Sequence, residues 1–189
     1  MAGDCGWRAR FRLGSYGAGV IHPEVTVRPV APTEFAVLER LWLMFHHDLS
    51  EFRSRLPDPD GTFHSERLRA AVDDPAWAAY LLWTQDRPVG LAVVRALDQP
   101  VRVLNAFFIV RGSRRTGIGS RAVREVLLRH PGSWEVPFQD DNETAVRFWR
   151  GTARAAAGEH WTEERRAVPE RPDLPPDVWI SFATEDSAL

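Results

Sequence analysis

The sequence of 189 residues contains no lysine, so all 24 of its Lys/Arg positions are arginines. The absence of lysine excludes Schiff-base chemistry, the attachment of pyridoxal phosphate and the lysine of a P-loop. A bound phosphate group would therefore have to be held by arginine side chains or by backbone N–H groups.

Cysteine and long apolar runs are also scarce. The single Cys5 excludes an intramolecular disulfide and a multi-cysteine metal site, and it is typical of a reducing compartment. No run approaches the ~20 apolar residues that a membrane span requires, and residues 1–23 lack the apolar stretch of a secretory signal. The net charge of -2 argues against nucleic-acid or membrane-surface binding. We expect a cytoplasmic protein that binds neither nucleic acid nor membranes.

The remaining composition, 44% hydrophobic and 26% charged, is typical of a globular chain. Residues 1–23 show no periodicity and are expected to form a disordered extension, followed by a single α+β domain over residues 24–185. Helical spacing predicts four helices, near 33–47 (with Thr33 as the N-cap), 64–72, 117–129 and 142–156. Alternating or apolar runs predict strands near 25–30, 77–84, 88–97, 101–110, 134–138, 161–168 and 178–184. Short links between the second, third and fourth strands predict an antiparallel meander.

The most informative segment is Phe107-Phe-Ile-Val-Arg-Gly-Ser-Arg-Arg-Thr-Gly-Ile-Gly-Ser120. An apolar strand leads into an arginine-rich turn, and a helix opens at Gly117-Ile-Gly119. The start of a helix presents unpaired N–H groups and the positive end of the helix dipole. Glycines at this point allow a pyrophosphate to approach the backbone, and Arg114 and Arg115 add positive charge. The segment therefore predicts a phosphate-binding turn.

Two other interpretations of this segment compete with that prediction. An isolated Gly-x-Gly is more often an ordinary turn whose glycines serve helix packing. Gly117-Ile-Gly-Ser-Arg-Ala122 also matches the dinucleotide fingerprint, with Asp140 and Asp141 near the position of its ribose-binding acid. In that fold, however, the strand runs almost directly into the first glycine, and further βαβ units need more chain than remains. The dinucleotide interpretation is rejected.

A second motif decides between these interpretations. Arg114-x-x-Gly117-x-Gly119 resembles the acyl-CoA signature of the GCN5-related N-acetyltransferase (GNAT) superfamily. Further along, Asn142-Glu-Thr-Ala-Val-Arg-Phe-Trp149 resembles the Asn-x-x-Ala-x-x-Phe-(Tyr/Trp) helix start of that family. The order of the predicted elements also resembles the family fold. Shorter segments, such as Asp48-Leu-Ser-Glu-Phe52, are similar to those of uncharacterised bacterial acetyltransferases.

The resemblance implies a mixed, mostly antiparallel sheet with helices on both faces and one splayed pair of parallel strands. The pantetheine arm of acetyl-CoA, the co-substrate, would lie between these strands, and no metal is expected. The implied contacts with acetyl-CoA are made by Phe108, Ile109, Val110, Arg114, Arg115, Thr116, Gly117, Ile118, Gly119, Ser120, Asn142 and Phe148. The implied activity is acetyl transfer to an amine, here expected to be a primary amine of a small molecule, with a homodimer left open.

The residues available for proton transfer depart from the family pattern. Trp149 stands where many members carry a tyrosine acid, and Ala106 stands where related sequences often carry a glutamate base. We expect a carboxylate near the end of the first helix to act as base. Glu51 is preferred to Asp48 because its stem is longer and it lies beyond the expected helix end, with Glu135 as the next candidate.

Two functional hypotheses remain open. Asp48, Glu51, Asp58 and Asp60, on the expected acceptor side, favour a cationic acceptor amine. No suitably placed cysteine or lysine could carry an acyl group, so direct attack of the amine on the thioester is expected. The alternative is a non-catalytic GNAT-like domain that binds or senses acyl-CoA, which the residues Ala106 and Trp149 favour.

Overall fold

A computed structural model of the protein describes residues 24–53, 55–168 and 173–184. The expected extension at residues 1–23 lies outside these residues. The described residues contain four α-helices: α1 (Phe35–Arg53), α2 (Glu66–Asp73), α3 (Ile118–Arg129) and α4 (Glu143–Ala157). They contain seven strands: β1 (Thr26–Pro29), β2 (Trp77–Thr84), β3 (Arg87–Arg95), β4 (Val101–Ile109), β5 (Gly132–Phe138), β6 (Trp161–Arg166) and β7 (Asp177–Thr184). Within this part of the chain, no helix has the length and apolar character needed to cross a membrane.

The seven strands form one sheet in the order β1-β2-β3-β4-β5-β7-β6. The pair β4–β5 is parallel, and the other neighbouring strands are antiparallel. The predicted meander of β2, β3 and β4 is confirmed, as is the α+β class. The links after β2 and β3 are too short for a crossover, so the strands that they join must pair antiparallel. Between β4 and β5, helix α3 provides the longer crossover that a parallel pair needs.

Helices cover both faces of the sheet, and each face has its own apolar core. On one face, α3 and α4 pack on the sheet around the fully buried Trp134, Val126 and Ile180. On the other face, α1 and α2 pack on β2, β3 and β4 around Leu38 and Leu68. Burial of such side chains contributes roughly 1.5–3 kcal/mol each, so the two cores together hold the sheet between its helices.

The parallel strands β4 and β5 separate along their length. They pair only where Val101, Arg102 and Val103 face Ser133, Trp134 and Glu135. Just beyond this point β4 contains a β-bulge, because Val94 pairs with Leu104 while Val93 pairs with Ala106, which leaves Asn105 as an extra residue. A bulge bends its strand and increases the local twist. The predicted splayed pair is therefore confirmed, and a gap opens between the second half of β4 and β5.

Helix α1 differs from its predicted bounds at both ends. A 3₁₀ turn at Pro32–Glu34 precedes it, and the Glu34 carboxylate accepts the Ala31 N–H at 3.1 Å, so Thr33 is not the N-cap. The helix continues past His47 to Arg53. Leu49 and Phe52 extend the helical spacing of Phe45, which is the sequence signal for the longer helix. Glu51 therefore lies within the helix and not beyond its end.

A buried histidine packs inside the second core. His46 is 9% exposed, stacks on Phe63 with a centroid distance of 5.4 Å, and meets Trp42 edge-on at 4.6 Å. Its Nε2 atom has no hydrogen-bond partner among the described residues. Burial lowers the pKa of His46 to about 4, and the charges of Arg55 and Arg67 add to the effect. The imidazole is consequently neutral in the folded protein at neutral pH.

We predict that His46 makes the protein less stable as the pH falls. His46 takes up a proton near its ordinary pKa of 6.5 in the unfolded chain but only near 4 in the folded chain. The contribution of neutral His46 to the free energy of unfolding is therefore fully present above pH 6.5 and is lost as the pH falls toward 4. The free energy of unfolding should drop by about 2 kcal/mol between pH 7 and pH 5 from this group alone.

The measurement is urea denaturation of the wild type, His46→Leu and His47→Gln at both pH values. His46→Leu should lose most of this dependence, while the exposed neighbour His47 serves as the matched control and should keep the wild-type slope. An unchanged slope in His46→Leu would contradict the prediction.

Candidate functional site

The start of α3 lies beside the end of β4 and presents backbone N–H groups. Gly117 caps the helix with a φ of 81°, in the left-handed region that favours glycine, and its carbonyl accepts the Arg121 N–H at 3.2 Å. Within the described part of the chain no side chain caps this helix, and its first turn contains no acidic residue. The first N–H groups of a helix have no acceptor within it, and they carry the positive end of the dipole. The geometry suits an anion.

The turn that leads into α3 has a specific backbone shape. Arg111–Ser113 form a 3₁₀ turn, and Arg115 has a φ of 61°. The Thr116 hydroxyl donates to the Ser113 carbonyl at 2.8 Å, which holds the two ends of the turn together. The Arg115 side chain is exposed. Arg115 and Gly117, both in the left-handed region, curve the backbone around the start of the helix in the manner of an anion-binding nest.

The last residues of β4 do not all face the gap. The Val110 N–H donates to the Val89 carbonyl at 2.8 Å, and the Phe108 carbonyl points at Gly90, where an added Cβ would lie 2.1 Å from its oxygen. The backbone groups of Phe108 and Val110 therefore point toward β3. Since successive residues of a strand alternate, the N–H and C=O of Ile109 point away from β3, on the side of the gap, where the C=O accepts the Arg114 Nε–H at 2.7 Å. Of the three predicted backbone contacts, Ile109 is the one that the gap exposes.

Aromatic side chains line the α3–α4 side of this region. Phe148 lies against the start of α3, where a Cβ added to Gly119 would lie 3.3 Å from its ring. Its ring stacks on Phe107 with a centroid distance of 5.7 Å. Asn142 caps α4, because its Oδ1 accepts the Ala145 N–H at 3.0 Å. The structure thus brings Gly119 and Phe148 together and adds Phe107, which was not singled out from the sequence.

Trp149 belongs to the core. Its side chain is 7% exposed and meets Phe107 and Phe148 edge-on, at centroid distances of 5.6 and 4.8 Å. An indole N–H is a donor without an acidic proton at physiological pH. The aromatic position on α4 therefore contributes packing in this protein and no acid.

The two predicted carboxylates on α1 have different surroundings. Asp48 is 20% exposed and forms ion pairs with Arg111, at 2.9 Å, and with Arg114. Burial alone would raise the pKa of Asp48, but the hydrogen bonds from Arg114 and Arg111 outweigh it, so the pKa lies below its usual value. Glu51 is 66% exposed, and its nearest charged partner is Arg111 at 3.9 Å. Arg111 was not singled out from the sequence, although it is the second residue after the end of β4.

Of the other predicted carboxylates, Glu135 and Asp60 already accept hydrogen bonds within the protein. Glu135 forms two hydrogen bonds with Arg166, at 2.7 and 2.9 Å, which lower its pKa. Asp60 accepts hydrogen bonds from the N–H and the hydroxyl of Thr62, and Asp58 lies 3.9 Å from the His64 ring. Among the described residues, no group of three His, Cys, Asp or Glu side chains is placed to hold a metal ion.

Comparison with known proteins agrees with this arrangement. A model of the acetyltransferase (GNAT) family matches residues 39–152, which include β4, the turn, α3 and most of α4. Compared by sequence with curated proteins, the chain shows no significant match. An acetyltransferase from Thermus thermophilus is similar in structure, with a TM-score of 0.63, 17% identity and coverage of 86% of this chain and 99% of that one.

Two further solved structures have named acceptors. A spermidine N-acetyltransferase from Vibrio cholerae, in complex with CoA and spermine, superposes with a TM-score of 0.61, 13% identity and coverage of 85% of this chain and 95% of that one. The ribosomal-protein-S18-alanine N-acetyltransferase from Escherichia coli gives a TM-score of 0.56, 11% identity and coverage of 88% and 99%. At these identities the likeness concerns the fold. The family match, which spans more than half of the chain, shows that this protein belongs to the GNAT acetyltransferase family.

Proposed function

We propose that this protein transfers an acetyl group from acetyl-CoA to a primary amine of a small molecule. The observation that carries the proposal is the gap between β4 and β5, which opens beside the uncapped start of α3. The N–H of a pantetheine amide can donate to the second lone pair of the Ile109 carbonyl, whose first lone pair accepts the Arg114 Nε–H. The pyrophosphate lies against the N–H groups of Ile118, Gly119 and Ser120. The residues present therefore fit the co-substrate at both of its polar parts.

The remaining proposed contacts surround this path. Arg114, Arg115 and Thr116 form the turn that would enclose the pyrophosphate, with Gly117 giving it backbone room. Asn142 and Phe148 would flank the arm of the co-substrate from the α4 side. Phe108 and Val110 direct their backbone groups toward β3, and the Phe108 side chain is 5% exposed, so Ile109 is the strand residue proposed to contact the arm.

The reaction is a direct attack in a complex of both substrates. The amine nitrogen forms a bond with the thioester carbonyl carbon, the C–S bond then breaks, and CoA leaves as a thiolate. The oxyanion that develops would be stabilised by the Ile109 N–H, the donor of this strand end that faces the gap. A thiol has a pKa of about 8.5, so the thiolate can leave without an acid, which is consistent with a buried tryptophan at position 149.

A base must accept the proton that the amine loses. Glu51 is the preferred base, acting through water. Asp48 is the weaker alternative, because its two arginine partners lower the pKa of its carboxyl and so reduce its affinity for a proton. Glu135, paired with Arg166, is disfavoured in the same way.

The acceptor is proposed to be an amine. The solved structures of similar fold include an enzyme named for spermidine and another named for an alanine of a ribosomal protein. Both acceptors present an amine, which supports N-acetylation. We propose a small cationic amine because Glu51, Asp58 and Asp60 give the α1 side exposed carboxylates.

A second candidate is a domain that binds acyl-CoA without turning it over. Two observations favour it: Ala106 is 3% exposed and offers no carboxylate, and Trp149 offers no acid. Incubation of acetyl-CoA with a library of amines, followed by thiol detection of free CoA, distinguishes the two candidates. Release of CoA that depends on one class of amine supports the enzyme, whereas binding without release supports the sensor.

We expect the protein to bind acetyl-CoA in a salt-dependent manner. Arg114→Ala combined with Arg115→Ala should raise the Kd by tenfold or more, because Arg115 loses a charge-assisted hydrogen bond to the phosphates, which contributes about 1.5–3 kcal/mol, and the turn loses the contacts of Arg114 with Ile109 and Asp48. Isothermal titration calorimetry at two salt concentrations measures both effects. Absence of CoA binding by the wild type, with binding of NAD instead, would overturn the assignment of the site.

Gly117 should be required for this binding. A side chain at a φ of 81° is strained by roughly 1–2 kcal/mol, and its Cβ would stand where the pyrophosphate approaches. Gly117→Val should therefore weaken CoA binding and lower the stability modestly. Gly112→Val is the matched control in the same turn, because a Cβ at Gly112 would meet nothing within 4 Å. Equal CoA affinities of the two folded variants would show that Gly117 serves only the turn.

The pH profile tests the base. Without a tyrosine acid, kcat/KM should rise with pH toward the pKa of the acceptor amine and show no descending limb. Glu51→Gln should lower kcat/KM by about 10²-fold. Glu39→Gln, about 18 Å earlier along the same helix, serves as control and should behave like the wild type. If Glu51→Gln and Asp48→Asn both leave the rate and the profile unchanged, neither carboxylate is the base.

A further inference from the structure

Asp48 connects helix α1 to the turn between β4 and α3. Its Oδ1 accepts the Arg111 Nε–H at 3.0 Å, and its Oδ2 accepts a hydrogen bond from Arg114 Nη2. These partners lie 63 and 66 residues away in the chain. The Asp48 side chain is only 20% exposed, so the pair with Arg114 is screened less than a surface ion pair would be.

A second donor of the Arg114 guanidinium is held by β4. Its Nε–H donates to the Ile109 carbonyl at 2.7 Å, and its Cζ lies 5.6 Å from the centroid of the Phe108 ring. Arg114 therefore donates both to the end of β4 and to a carboxylate of α1. With donors shared between the two elements, it serves as a brace between the strand and the helix.

Arg115 is placed differently. Its side chain is exposed, and among the described residues no hydrogen bond or ion pair holds it. Its φ of 61° belongs to the curved backbone that precedes Gly117. Of the two adjacent arginines, Arg114 is consequently engaged within the protein, whereas Arg115 is available to a ligand.

We propose that Asp48 is a positioning residue for the phosphate-binding turn. It holds the guanidinium groups of Arg111 and Arg114 on the α1 side, so that Arg114 braces the turn while Arg115 and the start of α3 meet the phosphates. This inference rests on the proposed binding of acetyl-CoA. A turn with residues in the left-handed region loses conformational freedom when it becomes ordered, and a brace that orders it beforehand lowers that cost for the ligand.

The test is a double-mutant cycle on the affinity for CoA, measured by calorimetry on the folded full-length protein. Asp48→Asn and Arg114→Gln should each raise the Kd about tenfold or more, the effect of losing one charge-assisted hydrogen bond. The Kd of the double variant should not exceed the higher of the two single-variant Kd values, because both changes remove the same brace. Asp98→Asn is the matched control: it removes the same charge from an exposed position in the β3–β4 link, at the opposite end of β4.

The salt dependence separates bracing from direct phosphate contact. We expect Arg114→Gln to keep the wild-type salt dependence of the Kd and Arg115→Gln to reduce it. A merely structural loss would not produce this difference. If Asp48→Asn does not fold, Asp48→Glu takes its place, since its longer side chain keeps the charge but cannot preserve both contacts, and its Kd should also rise.

Three results would overturn the inference. A Kd in Asp48→Asn equal to that of the wild type would show no positioning role. A lower Kd would show that Asp48 competes with the phosphates for the arginines. A reduced salt dependence in Arg114→Gln would place Arg114 on the phosphates. Failure of the wild type to bind CoA at all would instead refute the proposed function, so the two failures are distinct.

Discussion

The separation of β4 from β5 is the constraint on which the site depends. A parallel pair that continued along both strands would satisfy the backbone groups of Ile109 and leave no space between the two strands. The bulge at Asn105 bends β4 just after the pairing ends at Val103. The backbone N–H of Ile109 is thereby left facing a gap, and the turn that follows β4 leads to the start of α3.

Charge is distributed unevenly around this gap. The start of α3 has no acidic residue in its first turn, whereas α1 contributes Asp48 and Glu51. Arg111 and Arg114 lie between these two regions and face the carboxylates. A protein without lysine has to meet phosphate with arginine and backbone N–H groups. The arrangement keeps one arginine, Arg115, apart from the carboxylates that would otherwise neutralise it.

The sequence predicted most of the fold because most of its elements are locally encoded. The strands of the meander and the helices α3 and α4 agree with their predicted positions to within a few residues, because the periodicity of their apolar residues and the short links between the strands identify them. Helix α1 was predicted too short because the polar residues after His47 concealed the continued spacing of Leu49 and Phe52. Thr33 resembled an N-cap, but the chain forms a 3₁₀ turn there, capped by Glu34.

By itself the sequence determined the family signature: the Arg114-x-x-Gly117-x-Gly119 turn and the Asn142 helix start, both of which depend on neighbours a few residues apart. Only the tertiary structure decided which groups of these motifs face the gap. The register between β3 and β4 turns Ile109 toward it and Phe108 and Val110 away, and the packing of α4 buries Trp149. The pairing of Asp48 with Arg111 and Arg114 joins residues more than sixty positions apart. Such contacts follow from the way α1 packs on the sheet, which no local pattern of residues encodes.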